Sequence, residues 1–317
     1  MIIVDKPTWW RVLFKWRGTA LNRVWPRVAF VTFVAIVITI VDLKIETFHA
    51  DLTTTPFALI AVALGIFLGF RNNTSYDRFW EGRKLWGRLV NTARTITREV
   101  LTLIGPLPGA ELSEAEAAEL RELHKALVRY IAAYAHGVRM HLRDEDPDVE
   151  LLRLIPASDV EALHGESNRP IAMLQILGDR FREAWRRGWI HHQHLPVLER
   201  SLTELCDIQG GCERIKATPI PFSYTTLIHR IVALYCFALP FGLVHSIQEF
   251  TPVVVAIISY AFFGLDAVGD EIEDPFGKDE NDLPLTSIST TIEINVRQRI
   301  GDTELPERVR PVRGILI

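Results

Sequence analysis

Apolar residues in this chain are gathered into blocks rather than spread evenly. Residues 28–41 carry no charge, and residues 52–70 hold no ionisable side chain at all. Residues 231–248 are uncharged apart from His245, and residues 250–265 are uncharged. A helix needs about 20 mostly apolar residues to cross a hydrocarbon core. These four stretches are therefore read as membrane spans, the first and last drawing on their interfacial flanks or on packing within a bundle.

Residues 71–218 follow another pattern. Leu120, Leu123, Leu127, Ile131, Tyr134 and Val138 recur at steps of three or four and share one helix face. Ser113 with Glu116 forms a capping box at that helix's start. Gly105, Pro106, Pro108 and Gly109 break the chain before it, and residues 144–147 break it after. Over residues 72–100, Tyr76, Phe79, Trp80, Leu85, Trp86 and Leu89 alternate with arginines, so the second span is expected to continue as one long helix. No strand alternation competes, and the predicted fold class is all-α. Past Asn281 no clear period is visible, and that tail is expected to wrap on a surface.

Charge changes the picture by orienting the spans. Six basic residues (Lys6, Arg11, Lys15, Arg17, Arg23, Arg27) precede the first, and seven from Arg71 to Arg98 follow the second. The loop between, with Asp42, Lys44, Glu46 and Asp51, is slightly acidic. Lysine and arginine near span ends favour the cytoplasm, which places both termini and the middle there, in a multi-pass protein of the cell membrane. The predicted segments are a cytosolic 1–27, a transmembrane pair 28–70, a cytosolic helical region 71–218, a second transmembrane pair 219–266, and an acidic loop with a cytosolic tail, 267–317.

Composition agrees with segregation: 48% of 317 residues are hydrophobic and 23% charged. A net charge of -4 argues against a nucleic-acid partner. Cys206, Cys212 and Cys236 are too few for a disulfide scaffold and lack zinc spacing. The basic start, with no small-residue cleavage site after the first apolar run, predicts no signal peptide. Phosphate loops, nucleophile elbows and Cys/His pairs are missing, so an enzyme is not expected.

Three groups of residues invite a functional reading. Val62, Ile66 and Phe70 fall at i, i+4 and i+8 and project from one helix face. That spacing suits packing against neighbouring spans as well as lining a pore, although Gly65 and Gly69 leave a separate small face for close helix approach. His191, His192 and His194 read as a polar turn ended by Pro196 rather than as metal ligands, since adjacent histidines on a helix cannot both face one ion. Arg71, at the inner end of the second span, reads as an anion attractor or as a cytoplasmic anchor, of which the anchor is favoured.

The run Phe67-Leu68-Gly69-Phe70-Arg71-Asn72-Asn73-Thr74-Ser75-Tyr76-Asp77-Arg78-Phe79-Trp80-Glu81-Gly82-Arg83-Lys84-Leu85-Trp86-Gly87 resembles the segment after the second span of bacterial bestrophin-type channels. Pro219-Ile220-Pro221-Phe222-Ser223-Tyr224 and Phe263-Gly264-Leu265-Asp266 are similar in the same way. The resemblance implies a homopentamer around a central pore, with Val62, Ile66 and Phe70 at the positions of an apolar neck. It places Ile190 near a second constriction at the cytosolic exit, and it implies passive conduction of small monovalent ions, chloride foremost. In animal members an acidic cluster after the fourth span binds calcium. Here Pro275 and Gly277 interrupt the acidic run, so the expectation is no cofactor beyond a weak calcium site at Asp270, Glu271, Glu273 and Asp274. The rival readings are a secondary transporter, which calls for inverted repeats and charged pairs inside the spans, and a membrane-anchored sensor working through residues 71–218.

Overall fold

The computed structural model describes residues 1–2, 9–10, 16, 18–44, 53–107, 109 and 111–317. Lys6, Arg11, Lys15, Arg17, Glu46, Asp51 and Pro108, named above, lie outside them, as does residue 52 of the second apolar run. Among the described residues the regular structure is helical: α1 (Ala20–Lys44), α2 (Thr54–Leu103), α3 (Glu114–Leu142), α4 (Asp148–Leu152), α5 (Ala157–Ala162), α6 (Arg169–Arg186), α7 (Leu195–Ala217), α8 (Phe222–Ile247), α9 (Thr251–Glu273) and α10 (Leu285–Arg297). Among these residues extended pairing is limited to isolated bridges such as Ile104 with Ile190.

Among the described residues three stretches are long and apolar enough to cross a membrane: Ala20–Lys44, Thr54–Leu103 and Phe222–Glu273. The third is broken by a turn of 3-10 helix at Gln248–Phe250, where Gln248 takes φ 45°. Its N–H still donates to the Val244 carbonyl and so closes α8. Thr251 then donates its hydroxyl to Gln248 O at 2.7 Å, and Pro252 sits in the first turn of α9, where its missing N–H costs nothing. The second span does run on as one helix of 50 residues.

Contacts gather the chain into two compact units. One comprises Ile2–Trp80 and Thr218–Pro275, the other Met1, Glu81–Ala217 and Phe276–Ile317. The tail Phe276–Ile317 thus belongs to the same unit as Glu81–Ala217.

In the first unit Val24, Val31 and Ala35 of α1, Leu64 and Leu68 of α2, Val232 and Leu239 of α8, and Val255 and Phe263 of α9 form one apolar core. A side chain at Gly242 of α8 would collide with the Phe57 ring, so glycine there is what lets the two helices approach.

The second unit is built around α3. Ser113 and Glu116 form the expected capping box, with Ser113 N donating to Glu116 Oε2 at 2.9 Å and Glu116 N to Ser113 Oγ at 3.3 Å. The predicted apolar face is buried, apart from a half-buried Leu123, and beyond Leu127 burial extends around nearly the whole helix. The tail departs from expectation. Leu285–Arg297 is a helix whose Leu285, Ile292 and Val296 are buried against α3. Its period is hidden in the sequence by Thr286, Ser287, Ser289, Thr290 and Thr291, which are weak helix formers.

A buried charge network fastens that helix. Glu293 of α10 accepts from Arg153 at 2.9 Å and Arg297 at 2.7 Å, and its other oxygen lies 2.8 Å from His136 Nε2. Burial pushes the Glu293 carboxyl up, but His136, Arg297 and Arg153 together pull it further down, from 4.5 to about 2. A depressed carboxyl contributes stability above its unfolded value and loses it as pH falls through the folded one. Glu293→Gln is therefore expected to cost roughly 3 kcal/mol near neutral pH, with the gap closing as pH drops from 4.5 towards 2. Thermal unfolding of the two proteins across that range measures it; a gap independent of pH would contradict the network's charge.

Candidate functional site

Only four residues of α2 between Thr54 and Trp80 are buried: Leu64, Leu68, Arg71 and Ser75. They recur at steps of four and three, so α2 touches its own unit along one narrow stripe. Val62, Ile66 and Phe70 lie about half a turn around the helix, at 100° per residue, from that stripe. They are 65%, 53% and 62% exposed, against 3% for Leu64 and 0% for Leu68. A β-carbon added at Gly65 or Gly69 would meet nothing within 4 Å, so the small face is open as well.

This assignment of faces carries a prediction. Leu68→Ala opens a cavity in the core of the unit and should cost about 2–5 kcal/mol, while leaving the exposed stripe unaltered. Unfolding in detergent reads the loss; unchanged stability would mean that the stripe is not packed.

At the lower end of the buried stripe sits a charge cluster. Arg71, fully buried, donates from Nη1 to Asp266 Oδ1 at 2.7 Å and to the Asp266 carbonyl at 3.3 Å, and its Nη2 is ion-paired with Asp270. His229 Nδ1 of α8 lies 2.6 Å from Asp266 Oδ2, and its Nε2 is 3.6 Å from Asp270. Next to this cluster, Asn72 donates to Leu265 O at 3.0 Å, and a side chain at Gly269 would strike Asn72. Arg71 is thus no cytoplasmic anchor: it ties α2 to α9 from inside the unit. The ligand atoms of His229, Asp266 and Asp270 lie within 4.8 Å of one another, a spacing that suits a metal ion. The Arg71 guanidinium already supplies the positive charge that such an ion would bring.

The charged pair joining two helices just past their apolar runs is what inspection of each span alone overlooked. A lone Arg directly after one apolar run and a lone Asp directly after another were its visible traces.

The acidic residues 270–274 are drawn to separate partners. Asp270 faces Arg71, Glu271 is buried 3.7 Å from Arg23, and Glu273 Oε1 accepts the Ile220 N–H at 2.9 Å. Asp274 ends α9 in an extended conformation.

Ile190, in the other unit, is buried. A side chain that lines a ring of subunits has to be exposed on one chain, and Ile190 is 2% exposed, its backbone bridged to Ile104. The nearest exposed aliphatic side chain following it is Val197, at the start of α7, 40% exposed. His191, His192 and His194 cluster in the turn before α7, with ring centroids 4.2 and 5.6 Å apart.

A model of bacterial and fungal bestrophin proteins matches residues 1–298 of this chain. The chain belongs to the bestrophin family. A protein of Ralstonia nicotianae, described as voltage-dependent anion channel-forming protein RSc3414, is 42% identical over 305 residues, covering 96% of each chain. The voltage-dependent anion channel-forming protein YneE of Escherichia coli K12 is 34% identical over 313 residues, covering 99% of this bestrophin and 98% of that protein. The crystal structure of a bacterial bestrophin homolog from Klebsiella pneumoniae superposes with a TM-score of 0.80 at 34% identity, over 88% of this chain and 99% of that one. The all-helical fold is therefore a bestrophin fold.

Proposed function

We propose that this bestrophin is the subunit of a passive anion channel of the cell membrane, with four membrane-crossing helices and both termini in the cytoplasm. The observation that carries the proposal is the exposed stripe of Val62, Ile66 and Phe70 opposite the buried face of α2. Large apolar side chains exposed on one face of a helix need a covering. Five copies arranged about an axis would turn the stripe into stacked apolar rings, and the open faces of Gly65 and Gly69 would accept the neighbouring helix. An ion entering such a neck loses water without a polar replacement, so the neck gates by dewetting.

Anions are favoured on two grounds. Relatives at 34–42% identity are described as anion channel-forming. Along α2 after the neck, Arg83, Lys84, Arg94 and Arg98 are exposed, and a vestibule in which basic side chains predominate concentrates anions. Chloride is the expected ion, and a second constriction belongs at Val197 rather than Ile190.

The test is the reversal potential of the purified protein in planar bilayers under asymmetric potassium chloride. It should move towards the chloride equilibrium potential without any coupling ion. A shift towards the potassium potential would overturn anion selectivity, and flux only under a proton or sodium gradient would replace the channel by a coupled transporter. The Arg71–Asp266–His229 cluster, at the borders of the apolar runs, favours that second reading, because coupled transport uses titratable groups beside the ion path.

Calcium is proposed to act weakly at most through Asp270, Glu271, Glu273 and Asp274. Neutralising all four should leave the currents' calcium response unchanged; steep calcium activation of the parent that vanishes in this variant would contradict it.

A further inference from the structure

A cavity of about 410 Å³ lies between α2 and α10, within the second unit alone. Its lining includes Arg94, Arg98 and Arg299 around the aliphatic side chains of Leu101 and Val296. Several guanidiniums of this unit are matched to carboxylates, as Arg88 is to Glu204, Arg129 to Asp302, Arg169 to Asp148 and Arg214 to Glu81. Around the cavity that matching fails. Arg94 is held through Nε and Nη2 by a neutral amide, Asn295 Oδ1, at 3.0 and 2.7 Å. Arg98 has only Glu99, at 3.5 Å, and that carboxylate also takes the Ser201 hydroxyl at 2.6 Å. Arg299 is exposed, with no carboxylate of the described residues within ion-pair distance.

Three guanidiniums line one concave space with at most one carboxylate near them, the Arg94 fork being shared with the Asn295 amide. Guanidinium binds paired oxygens in a bidentate manner and is less strongly hydrated than ammonium, so each fork suits a carboxylate or a phosphate. A volume of this order suits a small organic molecule rather than a bare halide. The walls decide between the two anions' usual carriers: no aromatic side chain lines the cavity, so a nucleobase would find no stacking partner, whereas Leu101 and Val296 suit a short aliphatic body.

We propose that this cavity binds small aliphatic polycarboxylates, molecules with two or three carboxylate groups on a saturated chain. The site goes beyond the channel reading and does not rest on it, since binding is measured without current.

The experiment is isothermal titration of the intact detergent-solubilised oligomer with citrate, and with AMP as an aromatic phosphate. Citrate should give a saturable heat that weakens as salt is raised. The Arg98→Gln/Arg299→Gln double variant should lose about tenfold or more in affinity at unchanged oligomer size, which is the scale of one lost charge-assisted contact. Arg299→Lys, which keeps the charge and removes the fork, should fall between the two. The absence of a saturable citrate heat would overturn the proposal, as would an affinity unchanged in the double variant. Arginine-dependent AMP binding tighter than citrate would overturn the carboxylate assignment. Dissociation of the double variant into smaller species would show that the groove is a contact between copies.

Discussion

Replacing Val62, Ile66 and Phe70 together by alanine raises conductance or open probability severalfold while the oligomer survives intact. These side chains are exposed on one chain and contribute little to the core of their own unit, so their truncation opens no internal cavity. In the assembled channel they would form three rings about 6 Å apart, four residues at about 1.5 Å each. Alanine widens each ring and admits water, which removes a dehydration barrier of several kcal/mol for a bare ion. Single-channel recording beside size measurement separates the outcomes. An assembled variant whose currents match the parent's in size and gating would place the neck elsewhere.

Arg71→Ala should be the most damaging single change in the first unit. It leaves Asp266 buried beside His229 without its guanidinium, and removing one partner of a buried ion pair costs about 3–5 kcal/mol. The intact oligomer should be recovered in much lower yield and unfold at lower temperature. Arg71→Met combined with Asp266→Asn should lose less than the two single changes summed, because the second substitution removes the charge that the first has stranded. Strict additivity of the two would mean that the pair carries no coupling energy.

The same residues mark what could be read from sequence alone. The apolar stripe on α2 was visible because a helix turns its own period into geometry: i, i+4 and i+8 share a face whatever surrounds them. Which face it was required knowing that Leu64 and Leu68 are the ones packed in the core. The partner of Arg71 lies 195 residues away, and a rule that counts basic residues near span ends sees a charge but never its neighbour. Ile190 illustrates a related limit, since residue type does not say whether an aliphatic side chain ends in a core or on a surface, and this one is buried. In α10 the serines and threonines looked like loop composition, and only contacts with α3 make that segment a buried helix.

The separation between Arg71 and Asp266 also has a consequence for how the protein is made. A ribosome adds about 5–20 residues each second, so about 10–40 s pass between the emergence of Arg71 and that of Asp266. Throughout that interval α2 holds a guanidinium at the end of its apolar run with its carboxylate not yet synthesised. A lone arginine there can reach back to the headgroups along its aliphatic stem. The joining of α2 to α9 is therefore a late event in biogenesis, and a nascent chain stopped before Asp266 keeps its second helix in the bilayer without the lock that fixes it.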